Sequence, residues 1–162
     1  TATPETGDVE RAWRHEIISH SPVMEQLLRE VEQVASSDVC ILLQGESGTG
    51  KEVLANAIHK ASPRREGPFI PLNCGAIPES LIDSELFGHE KGAFTGAINQ
   101  KRGCFERAMK GTLFLDEVAD MDLEAQGQLL GALDTGSFLR VGGTEPVKID
   151  VRIIAATNRN LE

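Results

Sequence analysis

At 162 residues with a hydrophobic share of 40%, the chain has the size and composition of one domain with a real core. Its net charge of -9 argues against this segment gripping a nucleic-acid backbone by itself, because phosphate neutralisation needs a basic face, so any DNA contact is expected from a part not present here. Cys40, Cys74 and Cys104 are far apart, without a Cys-x-x-Cys pair or a His at metal spacing, which argues against a disulfide framework or a zinc site. No run approaches the ~20 apolar residues of a membrane span and no signal peptide opens the sequence, so the expectation is a soluble, cytoplasmic domain.

Residues 1 to about 15 show no sustained period and read as a linker or tag remnant, with Trp13 a packing residue; the domain is expected over 16–162. In "SPVMEQLLREVEQVASSD", Ser21 can cap a helix, Pro22 suits its first turn, and Val23, Met24, Leu27, Leu28, Val31 and Val34 recur at helical spacing. "VCILLQ" is a continuous apolar run, expected to be a strand covered on both faces. A glycine-rich turn leads to the helical "EVLANAIHKA", with Val53, Leu54, Ala57, Ile58 and Ala61 expected on one side. "PFIPLN" is a second strand whose prolines place it nearer an edge.

"PESLIDSELFG" predicts a helix stopping at Gly88 and "GCFERAMKG" a shorter one, with the hexapeptide "GAFTGA" between them. "TLFLDE" predicts a buried strand, "LEAQGQLLGALDTG" a helix, "SFLRVGGTEPVKID" a hairpin turning near Gly142–Gly143, and "VRIIAATN" a fourth strand. Strands alternating with helices imply an α/β fold with a parallel sheet and helices on both faces.

Gly45, Glu46, Ser47, Gly48, Thr49, Gly50, Lys51 and Glu52 follow an apolar strand and open a helix, the setting a phosphate-binding loop requires. The glycines let backbone N–H groups converge on one point, and Lys51 supplies a charge for the β- and γ-phosphates. Glu52 stands where a hydroxyl normally touches Mg²⁺, so magnesium has to be held by other groups. Asp116 and Glu117, ending "TLFLDE", can orient Mg²⁺ and take a proton from attacking water; alone, such a pair also fits a solvated loop. Thr157 and Asn158 end the fourth strand, where Asn158 suits a γ-phosphate sensor and the pair equally suits a turn capping the strand. Asn73 ends the second strand, where open α/β sheets place their sites. His20, His59 and His89 lack partners at ligand spacing and are expected on the surface or on helix faces.

"GESGTGKE", "NCGAIPESLIDSELFGHEKGAFTGA", "GTLFLDE" and "RIIAATNRNL" together resemble the central AAA+ ATPase domain of bacterial sigma-54-dependent enhancer-binding activators, over about residues 17–162. The resemblance implies ATP and Mg²⁺ as cofactors, Lys51 on phosphate, Asp116 on Mg²⁺, Glu117 polarising water and Asn158 sensing the γ-phosphate. It also implies that Asn73 switches Glu117 between active and held positions, and that the backbone of Ile17 and Ile18 embraces adenine. Gly92, Ala93, Phe94, Thr95, Gly96 and Ala97 would tip a mobile loop contacting the sigma-54 RNA polymerase holoenzyme, with Phe94 and Thr95 touching sigma-54. Glu90 would couple nucleotide state to that loop, and the hairpin around "RVGGTEPV" would support it. The family assembles into rings and reaches DNA through a separate domain. The sequence stops before the region where the family carries arginine fingers, a fifth strand and a helical lid, so a truncated piece is expected, with "VCILLQ" at the edge of the sheet where the fifth strand would lie beside it. A rival guanine-specific switch lacks an Asn-Lys-x-Asp reader, whereas a nucleotide-gated interaction module with little turnover remains the alternative.

Overall fold

The computed structural model describes residues 22–45 and 50–158. Ile17, Ile18, His20 and the loop residues Glu46, Ser47, Gly48 and Thr49 lie outside them. Six strands and five helices follow in chain order among the described residues: α1 Pro22–Ala35, β1 Ile41–Gln44, α2 Lys51–Lys60, β2 Phe69–Asn73, α3 Ile82–Phe87, α4 Cys104–Arg107, β3 Thr112–Asp116, α5 Leu123–Thr135, β4 Ser137–Phe138, β5 Val147–Lys148 and β6 Arg152–Thr157. Four strands form a parallel sheet in the order β1-β6-β3-β2, and β4 and β5 form a separate antiparallel hairpin.

β3 shows why the sheet is sandwiched. Its first four residues are all buried, and alternate side chains serve opposite faces. Leu113 and Leu115 join Leu72, Ile82, Leu86, Phe105, Leu129 and Ile153 in one core, whereas Phe114 joins Val31, Ala55, Ile58, Ile154 and Ala156 in the other. Helices α1 and α2 cover the second face and α3, α4 and α5 the first. Phe87, Phe105 and Phe138 meet with ring centroids 5.5–5.7 Å apart, tying α3, α4 and the hairpin together. Cys74 and Cys104 are core residues, and burial pushes the Cys74 thiol up to about 12, which keeps it protonated and inert.

Three expectations need correction. β1 is not covered on both faces. Leu42 is 48% exposed, and among the described residues β1 lies at the sheet edge, paired with β6 alone. A continuous apolar run cannot by itself tell a central strand from an edge one. Val53 points outward at 48% exposure, because the core-facing stripe of α2 runs through Ala55, Ala57 and Ile58. His59 and His89 are both buried. His59 Nε2 lies 3.1 Å from the Gly67 carbonyl and Nδ1 2.8 Å from Thr112 Oγ1. A carbonyl can only accept, so Nε2 carries the proton and Nδ1 accepts from the Thr112 hydroxyl.

Arg152, at the start of β6, is 1% exposed and donates to the carbonyls of Val34 (2.7 Å) and Ala35 (2.9 Å). Both carbonyls lie in the last turn of α1, where a cation complements the helix dipole; that of Val34 also accepts from the N–H and hydroxyl of Ser37. The guanidinium thereby fastens α1 to the sheet, and burial lowers its pKa.

Candidate functional site

Parallel register brings the carboxyl ends of the four strands to one edge: Gln44 beside Thr157, and Asn73 beside Asp116. An open cleft of about 580 Å³ lies there, lined by Gly50, Lys51, Glu52, Asn73, Gly75, Ala76, Asp116, Glu117, Asp120 and Asn158. Five residues singled out from separate segments of the sequence, Lys51, Asn73, Asp116, Glu117 and Asn158, therefore share one cavity. The neighbouring Thr157 is buried and accepts the Gly45 N–H through its carbonyl at 3.2 Å, which ties the end of β6 to the start of the glycine-rich loop.

Lys51 begins α2 behind Gly50, whose φ of 81° is one that glycine adopts without strain. Its ammonium is 9% exposed, donates to the Gly45 carbonyl at 2.8 Å and stands 3.6 Å from Glu117 Oε1. Glu117 has φ 55°, a left-handed conformation costing on the order of 1 kcal/mol for a residue with a Cβ. Local bonds hold it there: its own N–H donates to Asp116 Oδ1 at 2.9 Å, and its carbonyl accepts from Asp120 N–H at 3.0 Å. The turn aims the carboxylate back at Lys51, and the second oxygen, Oε2, is buried with no hydrogen-bond partner among the described residues. A carboxylate oxygen in the lining of the cleft can accept a hydrogen bond from a bound molecule.

The donor set also fits Mg²⁺ with a polyphosphate. Among the described residues no three His, Cys, Asp or Glu side chains could hold a metal ion by themselves. A cation here would be shared between Asp116 and phosphate oxygens, the usual arrangement for magnesium. Glu52 is exposed at the rim. Asn73 Oδ1 accepts from Gly75 N–H at 3.1 Å, so in this state it caps the turn Cys74–Ala76, while Glu117 is held by Lys51. Asp120, Gly75 and Ala76 were missed in the sequence. Asp120 was discoverable as a further carboxylate four positions after Asp116, while the two small residues carry no sequence signal.

The hexapeptide forms a turn apart from the cleft. Gly92 N–H donates to the Ala97 carbonyl (2.8 Å) and Ala97 N–H to the Phe94 carbonyl (3.0 Å), with Gly92 and Gly96 at φ 79° and 98°. Gly92, Phe94, Thr95 and Gly96 are exposed, Ala93 is half-buried and Ala97 is buried. Phe94 is 42% exposed and its ring meets His89 edge-on, with centroids 4.9 Å apart. The hairpin packs directly beneath: a Cβ on Gly142 would lie 2.8 Å from Ala93 Cβ, and Glu90 N–H donates to the Val141 carbonyl at 3.0 Å.

Arg140 joins the two segments. It donates to both carboxylate oxygens of Glu106 (2.7 and 2.8 Å) and to Glu90 Oε1 (3.0 Å), while Gln100 donates to Glu90 Oε2 at 2.8 Å. The Gln100 amide, then Arg140, hold the Glu90 carboxyl below its ordinary range. Arg140, Glu106 and Gln100 were not singled out in the sequence, because they meet only when the hairpin folds over α4.

Residues 17–162 match the model of a family described as the sigma-54 interaction domain. The chain is 56% identical to the DNA-binding transcriptional regulator NtrC of Klebsiella pneumoniae over 147 residues, 91% of this chain and 31% of that protein. It is 50% identical over 161 residues to the Nif-specific regulatory protein of Azorhizobium caulinodans, 99% of this chain and 26% of that protein. The chain thus spans about a third or less of the curated relatives it matches. A crystal structure of NtrX from Brucella abortus in complex with ATP superposes with a TM-score of 0.81 at 43% identity, covering 90% of this chain and 31% of that one. The P-loop NTPase domain of an E. coli sigma-54 activator matches with a TM-score of 0.57 at 19% identity, over 89% of this chain and 80% of that one, a likeness of fold alone.

Proposed function

Because the chain belongs to the sigma-54 interaction domain family and has the P-loop NTPase fold, we propose that it is the motor part of a transcriptional activator: it binds and hydrolyses ATP at the strand-end cleft and contacts sigma-54 through the hexapeptide loop. One observation carries the reading: Lys51, Asn73, Asp116, Glu117 and Asn158, drawn from three strand ends and a helix start, converge on one cleft. The motor occupies residues 16–162, works in the cytoplasm, assembles into a ring and reaches DNA only through another domain of a longer protein.

Bound Mg·ATP supplies the scissile phosphoanhydride and the metal charge that offsets its oxygens. Lys51, released from the Gly45 carbonyl, binds the β- and γ-phosphates, and Asp116 orients the cation. Glu117, freed from Lys51, takes the proton of the attacking water on Oε2, a role worth about 10²–10⁴ in rate. Asn158 binds the γ-phosphate. Asn73 leaves Gly75 N–H to hold Glu117 when the cycle requires it silent. The loop then remodels the closed promoter complex, with Phe94 and Thr95 on sigma-54 and Glu90, through Arg140 and the hairpin, relaying the nucleotide state.

The test is made in the complete protein. Thr95→Ala is expected to abolish sigma-54 binding and activation while ATP hydrolysis persists; hydrolysis falling together with activation would make the loop part of the catalytic structure instead. A second reading, a nucleotide-gated binding module with little turnover, is favoured by the contact between Lys51 and Glu117, which occupies both groups. Turnover measured on this segment and on the complete protein side by side separates the two.

A further inference from the structure

The proposed chemistry gives no task to His89, a buried histidine at the root of the hexapeptide loop. Its backbone is fixed from both sides: its N–H donates to the Lys101 carbonyl (3.0 Å) and its carbonyl accepts from Lys101 N–H (2.9 Å). Before it, Gly88 has φ 77° and no room for a side chain, since a Cβ would meet the Lys101 carbonyl oxygen at 2.3 Å. The ring is fixed too, with Nδ1 2.7 Å from the hydroxyl of buried Ser84 on α3. The imidazole is therefore part of the rigid scaffold.

Phe94 is held differently. It sits in a turn whose two positive-φ glycines, Gly92 and Gly96, have open space around them. Its ring is partly exposed and meets the imidazole at 72° with centroids 4.9 Å apart, within the range of favourable edge-to-face pairs. The imidazole is the fixed side of this contact, and the Phe94 ring, already 42% exposed, is the side that can turn out to solvent.

We infer that His89 is a positioning residue that parks the Phe94 ring against the domain, holding back the partner-contacting tip of the loop until Phe94 leaves the imidazole. The inference rests on the reading of Phe94 as a sigma-54 contact. A ring held on His89 cannot also be buried in a partner, so parking reduces the population competent to bind. An aromatic pair of this geometry biases that population roughly two- to tenfold. Ser84 acts through His89 by fixing the plane of the imidazole.

The experiment uses the complete protein carrying 4-fluorophenylalanine at position 94, read by fluorine NMR, together with its affinity for purified sigma-54 without nucleotide. In the parent the fluorine resonance is displaced from that of a solvated ring; His89→Gln moves it to the solvated position, and Ser84→Ala, a milder change, moves it part of the way. Sigma-54 affinity rises about two- to tenfold in His89→Gln and less in Ser84→Ala. One resonance position shared by parent and both variants overturns the parking, as does a moved resonance with unchanged affinity. Full affinity retained in Phe94→Ala would instead overturn the partner reading, while the resonance still decides whether the ring is parked.

Discussion

Replacing Arg152 by Met tests how α1 is held to the sheet. The guanidinium is buried and its two short bonds, at 2.7 and 2.9 Å, end on the carbonyls of Val34 and Ala35. Hydrogen bonds from a charged donor contribute about 1.5–3 kcal/mol each, and the Ala35 carbonyl would lose this donor, while that of Val34 keeps the N–H and hydroxyl of Ser37. Met keeps the length and leaves no unpaired charge, so the relief of desolvation offsets part of the loss. A net destabilisation of about 3 kcal/mol follows. With a urea m-value of about 2 kcal/mol/M, the unfolding midpoint should fall by about 1.5 M with an unchanged slope. Circular dichroism at the helix band reads this directly. Since β6 also presents Asn158 to the cleft and Thr157 to Gly45, ATP affinity should weaken in the same variant. A midpoint within about 0.3 M of the parent would refute the role assigned to these bonds.

Two further outcomes concern the same scaffold. Burial lowers the His59 pKa below its ordinary 6.5, so its contribution to stability is full above that value and is lost as pH falls through the lowered folded-state value; melting temperatures of the parent should drop between about pH 7.5 and about pH 5, and more steeply than those of His59→Gln. Gly111→Ala would place a Cβ 1.9 Å from the Pro68 carbonyl oxygen, next to the first ladder bond of β2 and β3; thermal unfolding should show a loss of about 2–3 kcal/mol, and an unchanged melting temperature would mean the turns are looser than their contact implies.

The strand-end cleft was legible because its motifs are local: a glycine-rich turn between strand and helix, and a carboxylate pair closing an apolar strand. Each residue type announces its chemistry within eight positions or fewer, and the parallel topology then carries these ends to one edge. What escaped depends on long-range pairing. His59 finds Thr112 across 53 residues and Arg140 finds Glu90 across 50, so spacing along the chain gave no hint that either side chain was occupied. Arg152 reads as an ordinary strand-end cation until α1 is seen to end over it. The edge position of β1 is a property of the sheet order, to which an apolar run has no access; it was legible only through the family resemblance, which puts a fifth strand beside it. The hexapeptide was legible as unusual from composition, but its seating on His89 was not, because that contact needs the turn at Gly92 and Gly96 to fold back on its own root.

The central claim is that the cleft hydrolyses ATP with Lys51 binding phosphate and Glu117 accepting the proton of water. The most direct measurement is ATP affinity and turnover, side by side, for the complete protein and its Lys51→Ala and Glu117→Gln variants. The account predicts that Glu117→Gln binds ATP as tightly as the parent and loses about 10²-fold or more in turnover, while Lys51→Ala loses binding itself. Turnover by Glu117→Gln comparable to the parent's would contradict it.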